Sequence, residues 1–171
     1  MDVGSTLLAS IIPGQRERNG TQIPPSKTKL TATLNKPLLT CKVSQSSIEK
    51  ILLFSTDLEL RERYQNFFNG LRLGKLLEDL DLIAGQVAYK HTEGWERGMT
   101  IVTAACDRID LLGELRIDRD LQLLSSINWV GRSSMEVGVR ISAKEGKTWK
   151  RVARAYFIMV ARRDGKAEAV N

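Results

Sequence analysis

Residues 71–91 read LRLGKLLEDLDLIAGQVAYKH, and this long helical signal organises the interpretation of the rest of the chain. Apolar residues recur at intervals of three and four, which places one broad apolar stripe on a helix: Leu73, Leu76, Leu77, Leu80, Ile83, Ala84 and Val87. Asp81 lies on one flank of this stripe, and Gly74 and Gly85 share its side. A glycine inside a helix costs about 1 kcal/mol relative to alanine. Two glycines beside one acid therefore suggest that another backbone or a ligand comes close there.

The spacing alone leaves two interpretations of Asp81 open. In the first, Asp81 is a boundary residue in water, as most helix carboxylates are, and the glycines only ease packing. In the second, Asp81 belongs to a functional site on the glycine-lined side. The neighbouring Asp79 points elsewhere and falls with Lys75, Gln86 and Lys90 on the face that we predict to be solvated.

The composition fits one domain with a tail and argues against several classes of protein. The chain has 171 residues, of which 42% are hydrophobic, enough for a real core. No apolar run reaches the ~18 residues that a membrane-spanning helix needs. Cys41 and Cys106 stand far apart, which argues against a disulfide framework. With His91 as the single histidine of the sequence, neither a zinc cluster nor a Ser-His-Asp triad has support.

The charge of the chain is positive but scattered. A net charge of +6 and a pI near 9.5 would suit a basic module that binds nucleic acid. An aromatic fraction of 6% and the lack of interleaved basic and aromatic stripes count against that class. A modest positive field suits a small polyanionic ligand equally well.

Residues 1–45 are predicted to be a disordered or presequence-like tail, and residues 46–171 a single folded domain. The tail contains the breaker-rich segments PGQRERNG and IPPSKTK. Its short apolar part, residues 7–12, is followed by basic residues, as in a transit peptide. Asp2 and Glu17 depart from the acid-free pattern of such peptides.

Helices and strands are segregated along the folded part. We predict a strand over Ser47–Phe54, a helix over Leu58–Phe68 with Asp57 as its N-cap, and the long helix. Four strands follow: Met99–Ile109, Leu121–Trp129, Met135–Ala143 and Trp149–Arg162. This order favours the α+β class, with an antiparallel sheet wrapped around the helix.

Three finer expectations follow from the same patterns. The strand from Met99 is apolar on both faces and is expected at the centre of the sheet. Trp129 is expected in the core rather than beside a ligand, and His91 at the end of the long helix is favoured by the dipole. The open sheet edges predict a homodimer or a higher multiple, paired through the strand from Met99 or the one from Leu121.

Several long segments resemble one family in the right order. The helix, the strand GMTIVTAACDRIDLL and the segment NWVGRSSMEV resemble the mitochondrial acyl-coenzyme A thioesterases of the hotdog fold, as do ILLFSTDLELRERYQNFFNG and AYFIMVARRDGKAEAVN. The resemblance covers roughly residues 46–171. It implies a hotdog fold, hydrolysis of fatty acyl-CoA to free acid and coenzyme A, and a mitochondrial location, or otherwise a cytoplasmic one. It implies no cofactor, because coenzyme A is part of the substrate.

The resemblance also assigns candidate site residues. In this family an aspartate on the central helix follows the last glycine of the helix-start motif by seven residues, the spacing of Gly74 and Asp81. It therefore implies that Asp81 is the catalytic carboxylate, as a general base or as a nucleophile. Backbone N–H groups near Gly74 would stabilise the oxyanion. The candidate contacts of the coenzyme lie within residues 103–107 and 132–135: Thr103, Asp107, Arg132, Ser133, Ser134 and Met135.

Two departures from the family keep a second function open. Its members usually carry two hotdog domains, and their site combines the aspartate of one half with an asparagine of the other. Asn69 is the candidate for that asparagine here, although its position is shifted and the usual double glycine is missing. The alternative is thus a catalytically weak half-domain that binds acyl-CoA or dimerises. The expected partners are acyl-CoA and a second copy or second hotdog domain, with no nucleic acid and no membrane span.

Overall fold

The computed structural model describes residues 41–94 and 96–170, in which a long helix packs against a curled antiparallel sheet. The helices are α1 (Val43–Ser46), α2 (Leu58–Tyr64) and α3 (Leu73–Thr92). The strands are β1 (Ile48–Leu52), β2 (Thr100–Leu111), β3 (Leu121–Val130), β4 (Ser134–Glu145), β5 (Thr148–Arg163) and β6 (Lys166–Ala167). The α+β class and the wrapped sheet are confirmed.

The core lies between α3 and the inner faces of the central strands. Helix α3 supplies the predicted stripe except for Leu73, which is exposed, and Leu77, which is partly buried, and the strands supply their alternating apolar residues. The largest fully buried side chains include Leu76, Leu80, Ile83 and Val87 from the helix, and Leu121, Leu123, Met135, Val137, Ile141 and Met159 from the sheet. Burying one such side chain contributes roughly 1.5–3 kcal/mol before entropy is counted. Within the described residues, no helix combines the length and apolarity needed to cross a membrane.

The sheet order is β1-β3-β4-β5-β2, with β6 paired to the end of β5. All pairs are antiparallel, and Gly146 in the β4–β5 turn has the positive φ (59°) that the sequence KEGK predicts. The expectation that the strand from Met99 is central is wrong. Among the described strands, β2 pairs with β5 alone and forms an edge, and its residues 103–108 are exposed. Ile101 is buried and Ile109 packs against the core, whereas the middle of the strand, including Ala104 and Ala105, faces solvent.

Helix α2 begins as predicted and ends earlier. The Leu60 N–H donates to the Asp57 carboxylate at 2.9 Å, so the predicted N-cap is confirmed. The helix stops at Tyr64 rather than Phe68 because Asn66 folds the next residues into a turn. Its side-chain oxygen accepts the N–H groups of Phe68 and Gly70, each at 2.9 Å, which replaces helical hydrogen bonding.

The start of the described chain packs on the end of α3. Ser46, the last residue of α1, is fully buried, and its Oγ lies 3.0 Å from Nδ1 of His91. The predicted boundary between residues 45 and 46 therefore falls inside α1, whereas residues 1–40 lie outside the described residues. Burial lowers the pKa of His91 below its usual value. His91 lies in the last turn of α3 as predicted, and its burial there disfavours the charged form of the ring.

Asp79 is buried, not solvated as predicted. Its Oδ2 accepts a hydrogen bond from the Tyr64 hydroxyl at 2.5 Å and forms an ion pair with Nζ of Lys50 at 2.7 Å. Helix α2 and strand β1 supply these two donors and cover this flank of α3. Since a buried carboxylate is tolerated only when its oxygens are satisfied, the two donors offset its loss of water.

Trp129 is exposed, so its predicted place in the core is also wrong. The pairing of β3 with β4 shifts register between Ile127 and Trp129, where β3 has one extra residue. Such a bulge breaks the alternation of faces. Trp129 then pairs with Glu136, which lies on the outer face, since its neighbours Met135 and Val137 are the buried ones.

Candidate active site

Asp81 stands where α3 passes the edge strand β2. The Thr103 hydroxyl donates a hydrogen bond to Oδ1 of Asp81 at 2.7 Å, and the same hydroxyl oxygen lies 3.6 Å from Sδ of Met159. Asp81 is half-buried and Thr103 is exposed. Within the part of the chain that the structure describes, no donor reaches the second carboxylate oxygen, Oδ2. The contact fixes the orientation of the carboxylate and leaves one oxygen available to a ligand.

The two glycines on this side of α3 are not required by contacts within the chain. A Cβ added at Gly74 would meet nothing within 4 Å, and one added at Gly85 would lie 3.7 Å from Cε of Met159, an ordinary contact. The predicted close approach therefore has no partner among the described residues. The surface beside Gly74 is open to a ligand or to a second chain.

Cys106 is near this carboxylate but is a poor candidate nucleophile. Partial desolvation, and then the carboxylates of Asp81 and Asp107, raise the pKa of its thiol. Because the thiolate is the reactive form, the protonated Cys106 has little reactivity at neutral pH. The candidate reactive group here is therefore the Asp81 carboxylate.

The start of α3 offers backbone donors at some distance from Asp81. Arg72, the N-cap residue, makes no side-chain hydrogen bond to the first turn. Gly74 precedes Asp81 by seven residues, which is about 10 Å along a helix axis at ~1.5 Å per residue. Oxyanion donors must lie within about 3 Å of the reacting oxygen. At this separation the start of α3 is poorly placed to act on a thioester beside Asp81 of the same chain.

The predicted asparagine, Asn69, is exposed in the loop before α3. It has a positive φ of 60°, and its side-chain oxygen accepts a hydrogen bond from Nε2 of Gln65 at 2.8 Å. Asn66 lies in the same loop and was not singled out from the sequence. Its oxygen faces inward to two backbone N–H groups, and its Nδ2 is 3.5 Å from the Leu71 carbonyl. Asn66 and Gly70, just before the helix, are the residues by which the sequence could have drawn attention to this loop.

The candidate coenzyme contacts lie on two segments at one level of the sheet. Met135 of β4 and Thr103 of β2 both pair with Met159 of β5, so about 10 Å separates them at two strand spacings. Asp107 is exposed at an irregularity of β2. Met135 is fully buried, so its side chain offers the coenzyme no surface.

The turn after β3 contains the other three candidates. The Gly131 N–H closes it on the Ser134 carbonyl at 2.7 Å. The carbonyls of Arg132 and Ser133 accept from Val170 and Ala161 at 2.8 and 2.9 Å. These backbone hydrogen bonds hold the turn in place. Within it the Arg132 side chain is exposed, and Ser133 and Ser134 are half-buried.

Comparisons with known proteins agree with this fold. Residues 74–150 match the family described as Thioesterase superfamily. Over 143 residues the chain is 36% identical to acyl-coenzyme A thioesterase 4, mitochondrial, and 41% identical to acyl-coenzyme A thioesterase 2, chloroplastic, both from Humulus lupulus. Each match covers 78% of this chain. Over 125 residues, 71% of this chain, it is 35% identical to human acyl-coenzyme A thioesterase 9, mitochondrial.

Solved structures show the same fold. An acyl-CoA hydrolase from Staphylococcus aureus, in complex with butyryl coenzyme A and coenzyme A, superposes with a TM-score of 0.63 and 28% identity. The match covers 74% of this chain and 73% of that one. A hexameric acyl-CoA thioesterase gives a TM-score of 0.62 and 25% identity over 75% and 78% of the two chains.

The chain spans a limited part of its curated relatives, namely 27%, 33% and 28% of the three thioesterases named above. The family match over residues 74–150 includes Asp81, Thr103 and Arg132. The long helix within an antiparallel sheet and the match to the family both lead to one assignment. The chain carries a hotdog domain of the thioesterase superfamily.

Proposed function

We propose that this chain hydrolyses fatty acyl-CoA to a free fatty acid and coenzyme A. The observation that carries the proposal is the half-buried Asp81, held through one oxygen by Thr103 while its other oxygen is accessible. Support comes from the similarity to an acyl-CoA hydrolase that was solved with coenzyme A bound.

In this proposal the free Oδ2 of Asp81 acts on the thioester. It either takes a proton from an attacking water or attacks the carbonyl carbon itself. In both cases the hydrogen bond from Thr103 holds the carboxylate in one orientation, which reduces the entropy lost on reaching the transition state. Backbone N–H groups at the start of a helix stabilise the negative charge that develops on the carbonyl oxygen.

The active site is proposed to be composite. About 10 Å separates Asp81 from the start of its own helix, so the oxyanion donors belong to a second hotdog unit. Strand β2 is the better edge for that unit, because β1 already covers residues 121–125 of β3 whereas β2 has one side free. The solved relatives described as hexameric are consistent with an assembly of several copies.

Asn66 joins Asn69 as a candidate for the asparagine of the composite site. Variants of the S. aureus hydrolase in which an asparagine and an aspartate 15 residues apart are each replaced by alanine have been solved. Asn66 and Asp81 have that separation, whereas Asn69 is three residues closer. A symmetric pair of these chains would then contain both an asparagine and an aspartate in each site. This favours an active enzyme over the weak half-domain.

The location in the cell stays a prediction. Two of the relatives above are named mitochondrial and one chloroplastic. We propose a mitochondrial location, carried by residues 1–45, and expect a fluorescent protein fused to those residues to enter mitochondria. A diffuse cytoplasmic signal would contradict this location and leave the hydrolase proposal unaffected.

The hydrolase proposal is tested by Asp81→Asn in a thiol-release assay with fatty acyl-CoA. Loss of the carboxylate should lower kcat by roughly 10²–10⁴, with an unchanged melting temperature because the two side chains are nearly isosteric. Glu78→Gln is the matched control, since Glu78 is an exposed carboxylate on the same helix and pairs only with Lys75. Unchanged turnover in Asp81→Asn would remove Asp81 from the mechanism.

The composite site is tested by comparing Asn66→Ala with Asn69→Ala. Removing one oxyanion donor costs about 10²–10³ in rate. We expect this loss for Asn66→Ala and near wild-type rates for Asn69→Ala. Because Asn66 also holds its own loop, thermal unfolding of Asn66→Asp, which keeps the accepting oxygen and removes the donor, separates folding from chemistry. Full activity in both Asn66 variants would leave Asn69 as the candidate.

A further inference from the structure

Trp129 is an exposed aromatic residue at a bulge of β3, beside Gly131. Its side chain is 59% exposed, although indole is the side chain with most to gain from burial. The bulge in β3 turns it onto the outer face opposite Glu136. Because β1 pairs only with residues 121–125, no strand covers β3 on this side at Trp129.

The indole ring lies against Gly131. A Cβ added at Gly131 would lie 2.5 Å from Cη2 and 3.0 Å from Cζ3 of Trp129. Any residue with a side chain at position 131 would displace the ring, so the glycine lets the ring rest on the backbone of the turn. A ring that is already positioned loses little rotamer freedom when a ligand stacks on it.

The surroundings of Trp129 are polar. Asn128 donates to Glu136 at 2.9 Å, and the turn beside the indole presents the exposed guanidinium of Arg132 and the hydroxyl of Ser133. Among residues 41–94 and 96–170, no side chain pairs with the Arg132 guanidinium. Protein-docking surfaces have contiguous apolar centres, which this place lacks. An aromatic face beside an unpaired cation and hydroxyl groups instead matches a phosphorylated nucleoside.

We propose that Trp129 is the stacking platform for the adenine ring of the coenzyme, with Arg132 facing its phosphates. Trp129 pairs with Glu136 of β4, Glu136 pairs with Ile158 of β5, and Ile158 pairs with Ala105 of β2. Three strand spacings, or about 14 Å, therefore separate Trp129 from Ala105. This distance runs along the outer face from Trp129 to the edge at β2, which the acyl-pantetheine arm must pass to reach Asp81 on the helix side of the sheet. The identity of the nucleotide as part of acyl-CoA rests on the proposed function. The stacking of a nucleoside base on Trp129 does not depend on the proposed function.

The kinetic test compares acyl-CoA with the matching acyl-pantetheine, which carries the same thioester without the nucleotide. Base–aromatic stacking corresponds to a 5- to 150-fold change in affinity. Trp129→Ala should raise KM for acyl-CoA by a factor in that range and leave kcat and the kinetics with acyl-pantetheine unchanged, whereas Trp129→Tyr should restore KM. Trp149→Ala is the matched control, because Trp149 is partly exposed at the opposite end of the sheet. Equal effects on both substrates, or none, would overturn the proposal.

A binding test stands apart from the hydrolase activity. Adenosine 3′,5′-bisphosphate should quench tryptophan fluorescence in the wild type and in Trp149→Phe, and much less in Trp129→Phe. This result would support stacking even if the chain hydrolysed no thioester. Equal quenching in all three proteins would overturn the platform. If Trp129→Ala lowered the particle mass and Trp129→Phe left the quenching unchanged, Trp129 would be a contact between copies. That result would also overturn the platform.

Discussion

Asp79 and Asp81 are two residues apart on one helix and have opposite surroundings. At ~100° per residue their side chains point nearly in opposite directions. Asp81 faces the free edge strand and keeps one oxygen accessible, whereas Asp79 is enclosed by Tyr64 and Lys50. The first arrangement suits reaction with a ligand, and the second fastens α2 and β1 to α3.

We expect Asp79→Asn to destabilise the fold more than it alters chemistry. It removes the charge that the Tyr64 hydroxyl and the Lys50 ammonium satisfy, which should cost about 1–3 kcal/mol in the free energy of unfolding. Glu78→Gln should cost less than about 0.5 kcal/mol, because the Lys75 pair is exposed. Urea unfolding measures both. Equal values for the two variants would show that the buried cluster contributes nothing special.

The sequence allowed one of these two acids to be assigned. The Gly74–Asp81 spacing and the resemblance to a family pointed to Asp81, and the structure places it beside an accessible edge. The burial of Asp79 was not predictable, because its donors lie 15 and 29 residues away in the chain. Helical periodicity describes one element and carries no information on which other elements cover its flanks.

At the scale of elements, the end of α3 is fastened to α1 by a histidine that folding keeps neutral. Burial lowers the pKa of His91 from its usual value of 6.5. As pH falls through about 6.5, the unfolded chain binds a proton at His91 that the folded chain does not, so the free energy of unfolding falls. Above about pH 7.5 both states are neutral and the effect vanishes.

His91→Gln should therefore weaken the acid sensitivity of the fold while its amide keeps a partner for Ser46. The measurement is urea unfolding at pH 7.5 and pH 5. The loss of stability between the two should be smaller in the variant than in the wild type, because the carboxylates titrate alike in both. The same loss in both proteins would mean that His91 titrates normally in the folded state.

Element boundaries were predictable to within a few residues, and exceptions have local causes. The bounds of the four long strands and of α3 lie within two residues of those that the sequence predicts. Helix α2 was predicted too long because the side-chain turn at Asn66 competes with helix. Trp129 was assigned to the wrong face because a bulge depends on cross-strand pairing, which one strand's alternation does not encode.

At the scale of the whole molecule, β2 lies at the edge of the sheet although its apolar sequence predicted a central strand. The sequence indicated burial on both faces, and the described chain leaves residues 103–108 exposed. A second hotdog unit paired along β2 would account for both observations. The apolar pattern of β2 is consistent with a second unit lying along this strand.

We predict that Ala105→Glu, which puts a carboxylate on this edge, prevents assembly. Light scattering should give a multiple of the 19.2 kDa chain for the wild type and a smaller particle for the variant. Lys147→Glu in the β4–β5 turn is the matched control, because it adds the same side chain far from β2. The specific activity of the wild type should also fall on dilution, in parallel with the particle mass. A stable 19.2 kDa wild-type particle with full activity would refute the composite site.

The hydrogen bond from Thr103 to Asp81 joins the free edge of the sheet to the reacting group through one side chain. If that edge is covered by a second copy, its occupancy follows the bulk protein concentration, whereas a second domain on the same chain would act at an effective concentration near the millimolar range. The tethered form would keep its sites at any dilution. For separate chains, the amount of protein in the compartment would itself regulate how many carboxylates are ready to react.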